Sequence, residues 1–156
     1  MEIRNTQLSD SDTVYALLCE LEAKELDKEA VTRLYRQGLE DPTVHYLLAE
    51  EPGTETVHLG FMSLQVRPFL HRAGTVTEVM ELIVRAHIRS WGVGQRLFDR
   101  ALEIARNNGS VQLELCSNVL RTRTHQFYER NGMNRDQPQA ARAHRPKSAV
   151  GISRGG

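Results

Sequence analysis

Glu78-Val79-Met80-Glu81-Leu82-Ile83-Val84-Arg85-Ala86-His87-Ile88-Arg89-Ser90-Trp91-Gly92-Val93-Gly94 opens as a strand and closes on two glycines. Residues 76–84 are rich in apolar and β-branched side chains, which suits an extended chain. Beyond Gly92 the period changes. Val93, Leu97, Ala101, Ile104 and Ala105 recur at helical spacing, and Asn107-Asn108-Gly109 ends the run. Ser110 to Cys116 returns to a strand pattern, so strand, helix and strand predict a parallel pair joined by a right-handed crossover. Glycines at the first junction let backbone N–H groups turn inward and approach an anion closely. The following helix adds its unpaired N–H groups and the positive end of its dipole, an arrangement that receives a pyrophosphate. Arg89 can add a charge-assisted bond. No Gly-Lys-Ser/Thr follows, and the spacing is not GxGxxG, which sets aside an NTPase loop and a dinucleotide fingerprint. Taken alone, a two-glycine turn serves structure as readily as binding.

Upstream, residues 2–7 predict a short strand, and Ser9 to Asp12 offer helix-capping side chains. Val14, Leu17, Leu18 and Leu21 place an amphipathic helix over 12–25, and Asp27 caps a second helix carrying Val31, Leu34, Tyr35 and Leu39. Strands follow over 44–49 and 57–66, separated by the turn residues Glu51-Pro52-Gly53-Thr54, with Gly60 marking a bend. A last helix spans 120–130 and stops at Asn131-Gly132. The element order is β-α-α-β-β-β-α-β-α. Residues 134–156 hold Arg135, Arg142, Arg145, Lys147 and Arg154 against one acid, Asp136, and show no alternating apolar pattern. We read them as a basic, mobile tail behind a single domain over 1–133.

The 156 residues suffice for one domain with a real core and are too few for two. Net charge is zero, so composition asks for neither nucleic acid nor an acidic membrane as partner. No apolar run approaches the ~20 residues of a membrane-spanning helix. Met1-Glu2-Ile3-Arg4 lacks the apolar core of a secretion signal, which points to the cytoplasm. Cys19 and Cys116 have no metal-binding or redox spacing and read as two buried, reduced thiols. No ligand spacing calls for a metal. A His71–Glu78 site is conceivable without being compelled.

Val84-Arg85-Ala86-His87-Ile88-Arg89-Ser90-Trp91-Gly92-Val93-Gly94 resembles the V-x-x-x-x-R-x-x-G-x-G/A signature of the GNAT superfamily of N-acetyltransferases. Asn118, followed by Phe127-Tyr128-Glu129-Arg130-Asn131-Gly132-Met133, resembles its closing motif, with Met133 where phenylalanine is usual. A narrower match joins residues 14–21, 78–84, 117–119 and 125–128, which are similar to bacterial aminoalkylphosphonate N-acetyltransferases. The resemblance implies an α/β fold with a mixed, mostly antiparallel sheet flanked by helices and a splayed parallel pair in its middle. It also implies acetyl-CoA as co-substrate. Pantetheine would bond the backbone of Leu82, Ile83 and Val84, and the phosphates would meet Arg89, Ser90, Trp91, Gly92, Val93, Gly94 and Gln95. Asn118 would bond the pantetheine amide or cap the next helix. Relatives close with two further strands that the tail does not supply, so a homodimer partner is one way to cover the edge.

A primary amine, with a pKa near ~10.4, must lose a proton before it can attack. Glu81 is the first choice of base, acting through water, and Glu78 the second. A regular strand sends the two to opposite faces unless a bulge intervenes, and a bulge near Glu81 would also splay the parallel pair. Leu82 is a candidate to offer its N–H to the oxyanion. Both glutamates also suit a plain solvated strand face. Tyr128 maps onto the residue usually assigned as general acid, while packing with a hydrogen bond at its tip is its structural alternative. For an acidic acceptor, Arg67, His71, Arg72 and Arg123 can supply the anion contact, with His71 favoured by the narrower resemblance. The expected reaction is acetyl transfer to a small primary amine bearing a phosphonate or phosphate. The alternatives are transfer to a protein amine and a non-catalytic acyl-CoA sensor.

Overall fold

The computed structural model describes residues 1–116, 119 and 150–151. Its elements are β1 (Glu2–Asn5), α1 (Ser11–Glu22), α2 (Lys28–Glu40), β2 (Val44–Glu51), β3 (Val57–Phe69), β4 (Gly74–Val84), α3 (Val93–Asn107), β5 (Gln112–Leu115) and β6 (Val150–Gly151). The strand order is β1-β2-β3-β4-β5-β6, and β4 with β5 forms the expected parallel pair in a mostly antiparallel sheet. The element order expected from sequence stands through β5. The helix expected over 120–130 lies outside the described residues. Val150 and Gly151, assigned to a strandless tail, instead pair antiparallel with Leu113 and Gln112. Two residues are too few to show an alternating pattern, and this pairing is made by backbone alone.

The chain divides into two compact units, Met1–Ser63 with Leu82–Phe98, and Leu64–Glu81 with Asp99–Gly156. In the first, Val14 and Leu17 of α1, Tyr35 of α2, Leu48 of β2, Phe61 of β3 and Ile83 of β4 form one buried cluster, with Leu18, Leu21, Leu39 and Tyr46 against it. Each such side chain contributes about 1.5–3 kcal/mol relative to exposure. Val14, Leu17, Leu18, Leu21, Tyr35 and Leu39 are residues that the helical periodicity placed inward, whereas Leu34, expected with them, is 58% exposed. Asp27 caps α2 as expected, its Oδ1 accepting from Ala30 N at 3.0 Å. Cys19 differs from the expectation, being only half-buried; its Sγ accepts from Leu26 N at 3.4 Å. Among the described residues no helix is long and apolar enough to cross a membrane.

An ion network ties the start of the first unit together. Arg4 donates to both carboxylate oxygens of Asp10 (2.8 and 2.9 Å) and to both of Glu50 (2.8 and 3.1 Å). Asp10 also accepts from Gln7 N at 2.7 Å, which fixes the 3-10 turn ahead of α1. The Arg4 guanidinium, with that backbone bond, holds the Asp10 carboxyl below its ordinary range. Such a group stabilises the fold fully above the unfolded carboxylate pKa of ~3.9 and loses that contribution as pH falls through the folded value. Asp10→Asn should therefore lower stability at neutral pH by about 1–3 kcal/mol and flatten the acid limb below ~pH 4. Urea unfolding at both pH values checks this. Parallel acid limbs in the two proteins would contradict it.

Candidate active site

β4 changes its sidedness part-way along. Thr75 O and Val79 O both accept from the β5 side, from Val111 N (2.9 Å) and Cys116 N (3.0 Å), as alternate residues of a regular strand do. Arg85 N instead donates to Leu59 O of β3 at 3.1 Å. Residues 75, 79 and 85 are separated by even steps, so an unbroken strand would turn all three the same way. The reversal requires an extra residue between Val79 and Arg85. This is the bulge that the spacing of Glu78 and Glu81 left open. The register with β5 runs from Val76 to Val79, opposite the last residue of β5, Leu115, while β4 continues to Val84.

Within the first unit, Gly60 accommodates the altered strand. A Cβ on Gly60 would lie 2.6 Å from Ile83 O, closer than carbon and oxygen can approach. Gly60 is thus a close-approach glycine in the middle of β3, not a bend. All peptides in this segment are trans, so the Val84 carbonyl points opposite to Arg85 N–H, away from β3.

After Arg85, a 3-10 turn over Ala86–Trp91 leads to Gly92, whose φ of 76° is left-handed. Among the described residues, nothing beyond its chain neighbours lies within 4 Å of where its Cβ would be, so the turn is open on that side. A helical bond from Arg96 N to Gly92 O (3.1 Å) ties the start of α3 to the turn. Val93 is buried and anchors the turn, while Trp91 is 62% exposed. The side chains of Arg89 and Ser90 lie outside the described residues.

The second unit carries a polar cluster on one sheet face. Glu78 of β4 and Glu114 of β5 are register partners, hence neighbours about 4.8 Å apart across the strands. Both are buried, at 3% and 1% exposure. Arg72 donates to Glu114 and, at 3.1 Å, to Gln112 Oε1, and its guanidinium lies 5.3 Å from the Phe69 ring centre. Arg67 Nη2 stands 3.8 Å from Glu78 Oε1 and donates to Gln65 Oε1 at 2.9 Å. Glu81 is half-buried. His71 is exposed at the hairpin tip, edge-on to Phe69 at 5.8 Å. Thus Arg67 and Glu78 are brought together, and Arg72 meets a residue that sequence reasoning missed, Glu114. The Leu113-Glu114-Leu115 alternation reads as solvent-facing at Glu114, and only the hairpin arginine folding back reveals its burial. Asn118, Arg123 and Tyr128 lie outside the described residues.

A family model, the Acetyltransferase (GNAT) family, matches residues 11–133. The chain belongs to the GNAT acetyltransferase family. This acetyltransferase is 40% identical over 131 residues to the aminoalkylphosphonate N-acetyltransferase of Salmonella typhimurium, covering 84% of this chain and 83% of that one. Two solved structures share its fold at lower identity. A transcriptional regulator from Bacillus halodurans superposes with a TM-score of 0.74 at 19% identity, covering 86% of this chain and 93% of its own. A Trypanosoma brucei acetyltransferase gives 0.68 at 22%, covering 85% and 92%. These two speak to fold alone.

GNAT acetyltransferases take their acetyl group from acetyl-CoA. The acetyltransferase fits that donor where it can be tested. The turn at Gly92 is open on the side a Cβ would occupy, and the first amides of α3 follow directly. A cleft of about 540 Å³ elsewhere, along α2, holds none of the candidate residues. Its charges alternate at helical spacing, Glu29 with Arg33 and Arg36 with Glu40, as on a solvated face. In the acetyltransferase, Arg72→Ala should be costly because it strands a buried carboxylate. We expect a loss of about 3–5 kcal/mol, largely relieved when Glu114→Gln is added. Chemical denaturation of the single and double variants checks both halves of that statement.

Proposed function

We propose that this enzyme transfers the acetyl group of acetyl-CoA to the primary amine of a small acceptor bearing a phosphonate or phosphate. The observation that carries the reading is the 40% identity to the Salmonella aminoalkylphosphonate N-acetyltransferase across most of both chains. Two arginines set among two buried glutamates support it, because an aminoalkylphosphonate offers both a cation and an anion.

In this reading Val93, Gly94, Gln95 and the turn before them hold the pyrophosphate, with Arg89, Ser90, Trp91 and Gly92 around it. Leu82, Ile83 and Val84 hold the pantetheine arm through their backbone, and Asn118 assists. Acetyl-CoA supplies an activated acyl carbon and a thiolate leaving group. Glu81, half-buried beyond the regular part of β4, draws the proton from the acceptor ammonium through water. Glu78 is the second candidate for that role. Tyr128 returns a proton to the departing sulfur, since a phenol near ~10 can protonate a thiolate whose conjugate acid lies near ~8.5. We place the enzyme in the cytoplasm, where its two free thiols stay reduced, and as a homodimer. Sedimentation at twice 17.7 kDa supports the dimer, and a single 17.7 kDa species removes it.

Free thiol release from acetyl-CoA, measured with 2-aminoethylphosphonate, 1-aminoethylphosphonate, polyamines and lysine peptides, tests the reading. Release should be fastest with the aminophosphonates. Tight CoA binding without release for any amine would make the chain a sensor instead. Tyr128→Phe should lower kcat about 10²-fold or more, while CoA affinity stays at the wild-type value. That affinity can be read from the emission of Trp91, the chain's sole tryptophan. An unchanged kcat would remove the acid role.

A further inference from the structure

The cluster on β3, β4 and β5 contains two ion pairs of different character, and the difference has chemical meaning. Arg72 is committed. Its side chain is 13% exposed, and one nitrogen, Nη1, hydrogen-bonds both Glu114 and Gln112 while the guanidinium faces the Phe69 ring. Arg67 is not. Its side chain is 38% exposed, its Nη2 donates to the neutral Gln65 Oε1 at 2.9 Å and stands 3.8 Å from Glu78, beyond hydrogen-bond reach, and its Nε is buried with no hydrogen-bond partner among the described residues. A buried guanidinium nitrogen without an acceptor is unfavourable, because it has lost its hydration and gained no bond in return. An anion that reached it would relieve that penalty and gain charge-assisted bonds in the planar geometry arginine offers.

We propose that the Arg67–Glu78 pair is the acceptor's selectivity element and is exchanged on binding: the acceptor's anion takes Arg67, and its ammonium takes Glu78. This rests on the acetyl-transfer reading above and adds to it the charge pattern of the acceptor. A zwitterion swaps one ion pair for two and leaves no charge unmatched. An amine without an anion would meet Glu78 while Arg67 repels it. An anion without an amine would draw Arg67 away from Glu78 and gain no second ion pair in exchange. The Arg72–Glu114 pair makes the exchange specific. Glu114 lies beside Glu78 in register, so a loose Glu114 would be a second, misplaced site for the ammonium. Held by Arg72, it is not offered. Arg72 and Glu114 are positioning residues, and Arg67 with Glu78 bind the acceptor. The two strand glutamates then divide the work, Glu78 holding the amine and Glu81 taking its proton by way of water.

Calorimetry on the full chain saturated with CoA tests this without turnover. The probes are 2-aminoethylphosphonate and its two halves, ethylamine and ethylphosphonate. The zwitterion should bind about 10- to 100-fold more tightly than either half. Arg67→Met should erase most of that advantage, and Arg67→Lys, which keeps a charge but not the planar fork, should restore part of it. In steady state Arg67→Met should raise KM for the aminophosphonate and leave KM for acetyl-CoA unchanged. Retention of the wild-type zwitterion-to-ethylamine ratio in Arg67→Met overturns the proposal, as does an equal fall in affinity for all three probes. Absence of thiol release with every amine would instead sink the acetyl-transfer reading, so the two failures are told apart by which measurement goes wrong.

Discussion

The course of the chain through the candidate site depends on β4 reversing its sidedness between Val79 and Arg85. Before the reversal, backbone groups of Thr75 and Val79 are committed to β5; after it, Arg85 is committed to β3. A parallel pair in a mostly antiparallel sheet has no open end of its own, because evenly spaced bonds would continue as far as both strands last. The reversal places one additional residue in β4 between Val79 and Arg85. The same residue alters the phase of the side chains, so the positions of Glu78 and Glu81 relative to the sheet faces are no longer set by simple alternation.

Gly60 shows what the reversal demands of its neighbour. The Ile83 carbonyl occupies the volume that any other residue at position 60 would need for its Cβ. The demand falls on β3, where a glycine in the interior of a long strand weakens it and would otherwise be unfavourable. Beyond Val84 the chain makes one 3-10 turn, passes through the left-handed Gly92, and enters α3. Strand, bulge, turn and helix start thus form one continuous local device, written in about 20 consecutive residues.

That continuity explains what could be read from the sequence. Periodicity located α1 and α2 because each buries one face against a single cluster, and the apolar set Val14, Leu17, Tyr35, Leu48, Phe61 and Ile83 is that cluster. The glycines located the turn ahead of α3 because only a few residue types permit the left-handed conformation that Gly92 adopts there. Long-range partnerships were not legible. Nothing in Leu113-Glu114-Leu115 tells that Glu114 is 1% exposed, since its burial depends on Arg72 reaching back across the sheet. Gly60 looked like a bend because close approach to Ile83 is a tertiary fact. Val150-Gly151 carried no strand pattern because two residues cannot display one.

The polar cluster is the feature that stability alone does not account for. Four charges within one sheet face lose more hydration than their attraction returns unless each is fully hydrogen-bonded, and apolar side chains of like volume would hold the strands at least as well. The Arg72–Glu114 pair comes close to that standard. Arg67 of the other pair does not, with a separation of 3.8 Å from Glu78 and a buried Nε without an acceptor among the described residues. A fold that needed only a filled core would gain by removing that pair. Its two charges have, however, the signs and the order of an amino acid analogue whose carboxylate is replaced by phosphonate. Such a ligand completes the hydrogen bonding that the protein leaves incomplete. The binding energy of the acceptor then comes partly from relieving a deficit already present in the free enzyme, a form of preorganisation that favours a zwitterion over either of its halves.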